Sequence, residues 1–126
     1  MSALTWNCEN LKNSVYELHN ILEKAKPSFA FLSEPQLFQC DANQFFQYIW
    51  GGYCWHLNSE DLHDPELPMT QNRSFGGTAV LWQKNLDPYV EVVSTTSAAF
   101  LPIILKMPGL RTSIHIAIYM PTHGKG

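Results

Sequence analysis

The sequence has 126 residues, of which 45% are hydrophobic, 13% aromatic and 15% charged, with a formal net charge of −3. A charged fraction well below the roughly 25% of an average globular chain, combined with abundant aromatics, excludes intrinsic disorder; 7 Gly and 8 Pro, scattered without a period, exclude a collagen-like chain. A net charge this small exerts no strong global pull on nucleic acid or anionic lipid.

Cys8, Cys40 and Cys54 are odd in number, and their spacings of 32 and 14 match no zinc pattern, so they read as free thiols in a reducing compartment. The first 25 residues carry Glu9, Lys12, Glu17, Glu23 and Lys24, which leaves no apolar leader core. The longest apolar stretch, Ala98 to Leu105 with one proline in it, is far short of the ~20 residues that cross a bilayer. The expectation is a soluble intracellular protein of the nucleus or cytoplasm, with no membrane partner.

Ala3 to Cys8 (ALTWNC) reads as a short strand. Ser14 and Glu17 have the spacing of a capping box, and Val15, Leu18, Ile21, Leu22 and Ala25 then recur at helical period. Pro27 ends that helix, because the residue before a proline resists the helical conformation. Phe29 to Ser33 (FAFLS) reads as a strand buried on both faces. Strand, helix and strand within this span make a parallel βαβ unit. Asp41 and Gln44 then cap a short helix through Phe45, Phe46 and Ile49, and Tyr53 to Leu57 forms a strand. Ser59 to Arg73, rich in acidic residues and proline, reads as an exposed loop.

Gly76 and Gly77 open a strand over Thr78 to Trp82; Tyr89 to Ser94 and Phe100 to Met107 are further strands. Pro108-Gly109 is a turn dipeptide that reverses the chain into Arg111 to Tyr119, where Ile114, Ile116 and Ile118 share one face and His115, Ala117 and Tyr119 the other. The class is therefore α/β (α+β): a βαβ unit followed by mainly antiparallel strands. Trp6, Phe29, Phe31, Trp82 and Phe100 are core candidates, while Trp50, Tyr53 and Trp55, near a loop, are candidates for stacking on a base.

In a parallel βαβ unit, polar groups at the C-terminal strand ends gather at one edge, where ligands of open α/β sheets bind. Asn7 ends the first strand, Glu34 follows the second, and Glu9 faces the same side as Asn7 if the strand continues. An amide oxygen and carboxylates are hard oxygen donors suited to magnesium. Ser33 has no His–Asp partner for a serine hydrolase, and the terminal THGKG lacks the elements of a P-loop.

Four segments, TWNCENL (Thr5 to Leu11), FAFLSEPQL (Phe29 to Leu37), RSFGGTAVLW (Arg73 to Trp82) and IAIYMPT (Ile116 to Thr122), occur in the order and approximate spacing of one family. Together they resemble the N-terminal part of the endonuclease/exonuclease/phosphatase superfamily, most nearly the endonuclease domains of LINE-type retrotransposons and abasic-site endonucleases. The resemblance implies a four-layer α/β/β/α sandwich of which residues 1–126 are a partial domain, its C-terminal half absent. It places Asn7 on the asparagine that helps hold the metal and the attacked phosphate, Glu9 near the metal, Glu34 on the glutamate that binds the divalent ion, and Tyr119 on the tyrosine that approaches the scissile phosphate. Ser33 and Pro35 stand where the family commonly has Gln and Thr, and Asn10 replaces a frequent glycine.

The function so implied is a Mg2+- or Mn2+-dependent phosphodiesterase of DNA-endonuclease type, with DNA as the partner. The family's late Asp-x-Asn and Asp-His motifs, which supply the general base, do not occur after IAIYMPT. The competing reading is a truncated, non-catalytic remnant acting as a binding or interaction module, and by this reading the chain alone is inactive. An incomplete fold also implies an exposed apolar sheet face, the Ile114, Ile116 and Ile118 stripe, left bare by a missing second sheet.

Overall fold

The computed structural model describes residues 1–46, 52–63 and 76–118. Strand β1 (Ala3–Asn7) leads into helix α1 (Leu11–Ala25), strand β2 (Phe29–Ser33), helix α2 (Gln39–Phe46) and strand β3 (Tyr53–Asn58). A 3-10 turn covers Glu60–Leu62, and the next described strand is β4 (Thr78–Gln83). A second 3-10 segment (Lys84–Tyr89) then leads to β5 (Val90–Val92), β6 (Phe100–Leu105) and β7 (Ser113–Ile118).

The strands form two sheets, one in the order β1-β2-β4-β3 and the other in the order β5-β6-β7. β1 and β2 are parallel, with Asn7 opposite Ser33, and every other pairing is antiparallel. The mixed α/β class and the initial βαβ unit therefore hold. Leu11, Val15, Leu18 and Leu22, four and three residues apart, turn one face of α1 onto the first sheet, where they meet Ala30, Leu32, Ala79 and Leu81. On its other face, Phe29, Phe31, Val80 and Trp82 pack against Leu101, Ile103, Leu105 and Ala117 of the second. Each large aliphatic side chain fully buried in these two cores contributes about 1.5–3 kcal/mol.

Several local expectations are corrected. Helix α1 begins at Leu11, not after Ser14: Asn10 is the cap, its side chain accepting from the Lys12 N–H at 3.1 Å. Ser14 lies inside the first turn and donates its hydroxyl to the Asn10 carbonyl. The capping box fails because Leu11 is fully buried and its N–H donates to the Pro35 carbonyl, which starts the helix earlier. Tyr89 is not in a strand, since Lys84–Tyr89, with Pro88 inside, is 3-10. Ile49 and Trp50 lie outside the described residues. Of the stacking candidates, Tyr53 is buried with its hydroxyl donating to the Pro27 carbonyl at 2.6 Å, and Trp55 stacks on Phe46 at 4.8 Å.

The largest correction concerns layers. The second sheet is not missing: three of its strands are present, and they cover the first. Ile114, Ile116 and Ile118 are 65%, 51% and 48% exposed, and they lie on the outer face of the second sheet, not on a bare face of the first. Phe100 joins them at 45% exposure, opposite Ile118, and so leaves the list of core residues. Ala117 points inward, and His115 on the same face stacks on Phe29 and Phe31 at 6.1 and 6.2 Å.

One polar cluster ties the two sheets together. Asn58, 5% exposed, donates to the carbonyls of Ser97 and Phe100 at 2.9 and 2.7 Å, and its oxygen pairs with His63 Nε2. Thr78, beside it, donates to the Ala98 carbonyl. Asn58→Ala removes all three of its bonds at about 1 kcal/mol each, so urea denaturation should show a loss of about 3 kcal/mol, whereas substitution of the exposed Tyr16 by Ala should leave stability within about 0.5 kcal/mol.

Candidate functional site

Strands β1 and β2 run parallel and end together, so their C-terminal residues share one edge. The Cys8 N–H donates to the Ser33 carbonyl at 2.9 Å, which extends the pairing one step, and the Leu11 N–H reaches the Pro35 carbonyl at 3.0 Å. From the other side, the Glu34 and Gln36 N–H groups donate to the carbonyls of Gly77 and Gly76 at 3.0 and 3.1 Å. Glu34 thus sits in a turn held by backbone bonds on both flanks. Its side chain is half-buried and comes from a fixed frame.

That frame is strained. Glu34 and Gln36 both have φ 55°, Glu9 has φ 53° and Asn10 φ 154°, so the positive-φ positions concentrate at these two strand ends. For a residue with a Cβ the left-handed region costs roughly 1–2 kcal/mol, and such strain collects where function over-determines the backbone. Gly77 makes the arrangement possible: at φ 88°, a Cβ there would meet the Asn58 carbonyl oxygen at 3.2 Å. The two glycines do more than open β4, since their carbonyls hold the turn that carries Glu34.

β1 stops at Asn7, and the chain turns there. Asn7 Oδ1 accepts from the Glu9 N–H at 3.1 Å, and Glu9 is exposed on that turn rather than continuing the strand face of Asn7. Asn7 and Ser33 line a cleft of about 260 Å³ between the edge strands β1 and β7, together with Thr5, Phe31, Ile116 and Ile118. The structure therefore brings Asn7 to the turn of Glu34 and faces it with the end of β7. Tyr119, the residue after Ile118, lies outside the described residues, as does His123. Across the first sheet, register continues the row from Asn7 and Ser33 to Thr78 and Asn58, so one polar line crosses all four strands.

The donor set suits a hard cation. Asn7 Oδ1 keeps a second lone pair after the Glu9 bond, and one or two carboxylates with retained waters are what magnesium takes. Among the described residues no three His, Cys, Asp or Glu side chains cluster as a closed cage would require. Cys8, between Asn7 and Glu9, is buried, and burial with the nearby Glu34 carboxylate pushes its thiol up to about 12.

No family model matches the chain, and no curated protein does either. Solved structures do. The AP endonuclease LMAP from Leishmania major superposes with a TM-score of 0.71 at 18% identity, over 98% of this chain and 41% of that one. The fold is of the endonuclease/exonuclease/phosphatase type. The 3′ phosphatase NExo from Neisseria, bound to a product DNA hairpin, gives a TM-score of 0.52 at 17% identity, over 90% of this chain and 40% of that one. A humanized TDP2 from D. rerio gives 0.55 at 18% identity, over 92% and 48%. The chain spans less than half the length of each of these enzymes. Among the described residues no helix is long and apolar enough to cross a membrane.

Cys8 gives the site a pH signature. Its thiol is raised from an unfolded value of 9.0 to about 12, so its contribution to stability is intact below pH 9 and is lost as pH rises toward 12. Denaturation curves between pH 8 and 11 should therefore decline less steeply for Cys8→Ala than for the wild type, and iodoacetamide at pH 8 should label the exposed Cys40 and spare Cys8.

Proposed function

We propose that this chain is the metal- and phosphate-binding part of a magnesium-dependent DNA phosphodiesterase domain. The observation that carries the reading is the meeting of Asn7 and the strained, doubly anchored Glu34 turn at the rim of the β1–β7 cleft. Glu34 would hold the divalent ion, with Asn7 sharing in it and Glu9, on the adjoining turn, assisting through the ion's waters. Tyr119 would follow β7 to the scissile phosphate. When bound, the metal supplies charge neutralisation at the phosphate oxygens and the leaving group. The protein's part is orientation: the backbone bonds to Pro35, Gly76 and Gly77 keep Glu34 in place, and the Asx turn fixes Asn7.

The LMAP, NExo and TDP2 likenesses support DNA as the substrate class, since those proteins are an AP endonuclease, a 3′ phosphatase bound to a product DNA hairpin and, for a D. rerio TDP2, a complex with a single-strand DNA product. Neither His115 nor His63 is placed to act as the general base. His115, on the inner face of β7, is spent on stacking against Phe29 and Phe31 and pairs with Ser113, and His63 pairs with Asn58 at the opposite edge of the first sheet. A binding role without turnover is thus the alternative reading of the same residues.

Binding of a fluorescent DNA duplex separates these readings from a fold without function. In low salt, 5 mM Mg2+ should tighten binding relative to EDTA by about 10-fold, Glu34→Gln should remove that increment, and affinity should fall steeply with added salt. Plasmid nicking that requires Glu34 would add turnover to binding. Affinity indifferent to both Mg2+ and Glu34→Gln would overturn the proposal.

A further inference from the structure

Among the described residues seven large hydrophobic side chains are exposed, and five of them lie on one hairpin: Phe100 in β6, Leu110 in the turn, and Ile114, Ile116 and Ile118 in β7. Strand register arranges them. Phe100 stands opposite Ile118, Pro102 opposite Ile116 and Ile104 opposite Ile114, so the outer face of the hairpin is a grid of six apolar side chains, two strands wide and three rows long. Alternation along β6 agrees, because Leu101, Ile103 and Leu105 are buried against the first sheet.

The polarity of β7 is the reverse of what water on that side would select. An antiparallel sheet with one solvated face turns its polar residues outward. Here Ser113 and His115 share the inward row with buried Ala117, and the three isoleucines point out. No charged residue stands within the grid. Glu91, outward on β5 and opposite Ile104, marks its rim, and Lys106 Nζ already meets that carboxylate at 3.7 Å. A contiguous apolar patch with a polar rim marks a surface of association.

We infer that this face is the interface of a reversible homodimer, covered by the same face of a second copy of the chain. At about half exposure a large apolar side chain offers on the order of 100 Å², so the five supply roughly 500 Å² per copy and roughly 1,000 Å² across a pair. A specific interface needs about that much and an obligate dimer about twice as much, so the area fits two copies that come apart. A second copy also matches the chemistry. The grid offers a foreign partner no free charge to read, because Glu91 and Lys106 satisfy each other at the rim. Two identical uncharged faces meet about a two-fold axis without burying an unpaired ion. The interface does not rest on the function proposed for the β1–β7 cleft.

Sedimentation equilibrium of the intact chain tests the inference, with loading from about 1 to 200 μM to bracket the micromolar affinity of an interface this small. Monomer should dominate at the dilute end and dimer at the concentrated end, with no larger species, since a contact of this symmetry closes at two. Ile116 and Ile118 also line the cleft, so the variants are Ile114→Lys and Phe100→Lys, both at exposed positions away from it. Each should weaken dimerisation at least 10-fold, because the two-fold axis brings in two lysines per dimer, and each should melt with the wild type at the dilute end, so a lost dimer is not a lost fold. Tyr16→Lys, at an exposed aromatic on α1, should dimerise as the wild type does. Monomer throughout the range, assembly that grows past the dimer, or a dimer indifferent to both hairpin substitutions would overturn it.

Discussion

Strand β2 is the constraint on which the rest of the structure depends. Its first four residues are buried, Ala30 and Leu32 against the helix layer, Phe29 and Phe31 against the second sheet. A strand buried on both sides cannot slip by one residue without exchanging its small and aromatic faces, so its register with β1 and β4 is fixed. That register in turn decides where the strands end. Asn7 stands opposite Ser33, Ser33 opposite Thr78, and the residue after Ser33 is Glu34. The candidate site is therefore a consequence of packing, placed by the aromatic side chains of β2, of which Phe31 also lines the cleft.

The same packing explains why strain can be held there. The turns after β1 and β2 carry left-handed Glu9, Glu34 and Gln36, each of which would relax in isolation. Backbone bonds from Cys8 to Ser33, Leu11 to Pro35, Glu34 to Gly77 and Gln36 to Gly76 tie the turns to helix α1 and to the start of β4. A carboxylate presented this way loses little freedom on binding a cation, because the folded core has already imposed the order. The price is conformational strain near the site, offset by burial of the helix and sheet faces.

Much of this was legible in the sequence, and what was not has identifiable causes. FAFLS declared a strand buried on both faces, and the Pro108-Gly109 dipeptide a reversal, because both signals are local; Gly109 at φ 78° and the Leu110–Met107 backbone bond bear the turn out. The division of the strands between two sheets is not legible, because pairing partners are not written in period-2 patterns. The Lys84–Tyr89 segment, with Pro88 inside, lets the chain leave the first sheet and begin the second. The cap of α1 was misplaced because Ser14 and Asn10 both have capping chemistry, and a tertiary bond to Pro35 decided between them. Asn7 and Glu34 are legible as polar residues at strand ends, whereas the backbone bonds by which Gly76 and Gly77 hold the Glu34 turn are visible only with the register.

A cation site at the ends of β1 and β2 is what the proposed function requires. Titration of the isotopically labelled chain with Mn2+, followed by paramagnetic broadening of backbone amide signals, tests it most directly. The account predicts selective broadening of Asn7, Cys8, Ser33 and Glu34 at substoichiometric Mn2+, reversed by excess Mg2+ and absent in Glu34→Gln. Broadening centred instead on the acidic turn at Glu60 and Asp61, or unchanged by Glu34→Gln, would contradict it.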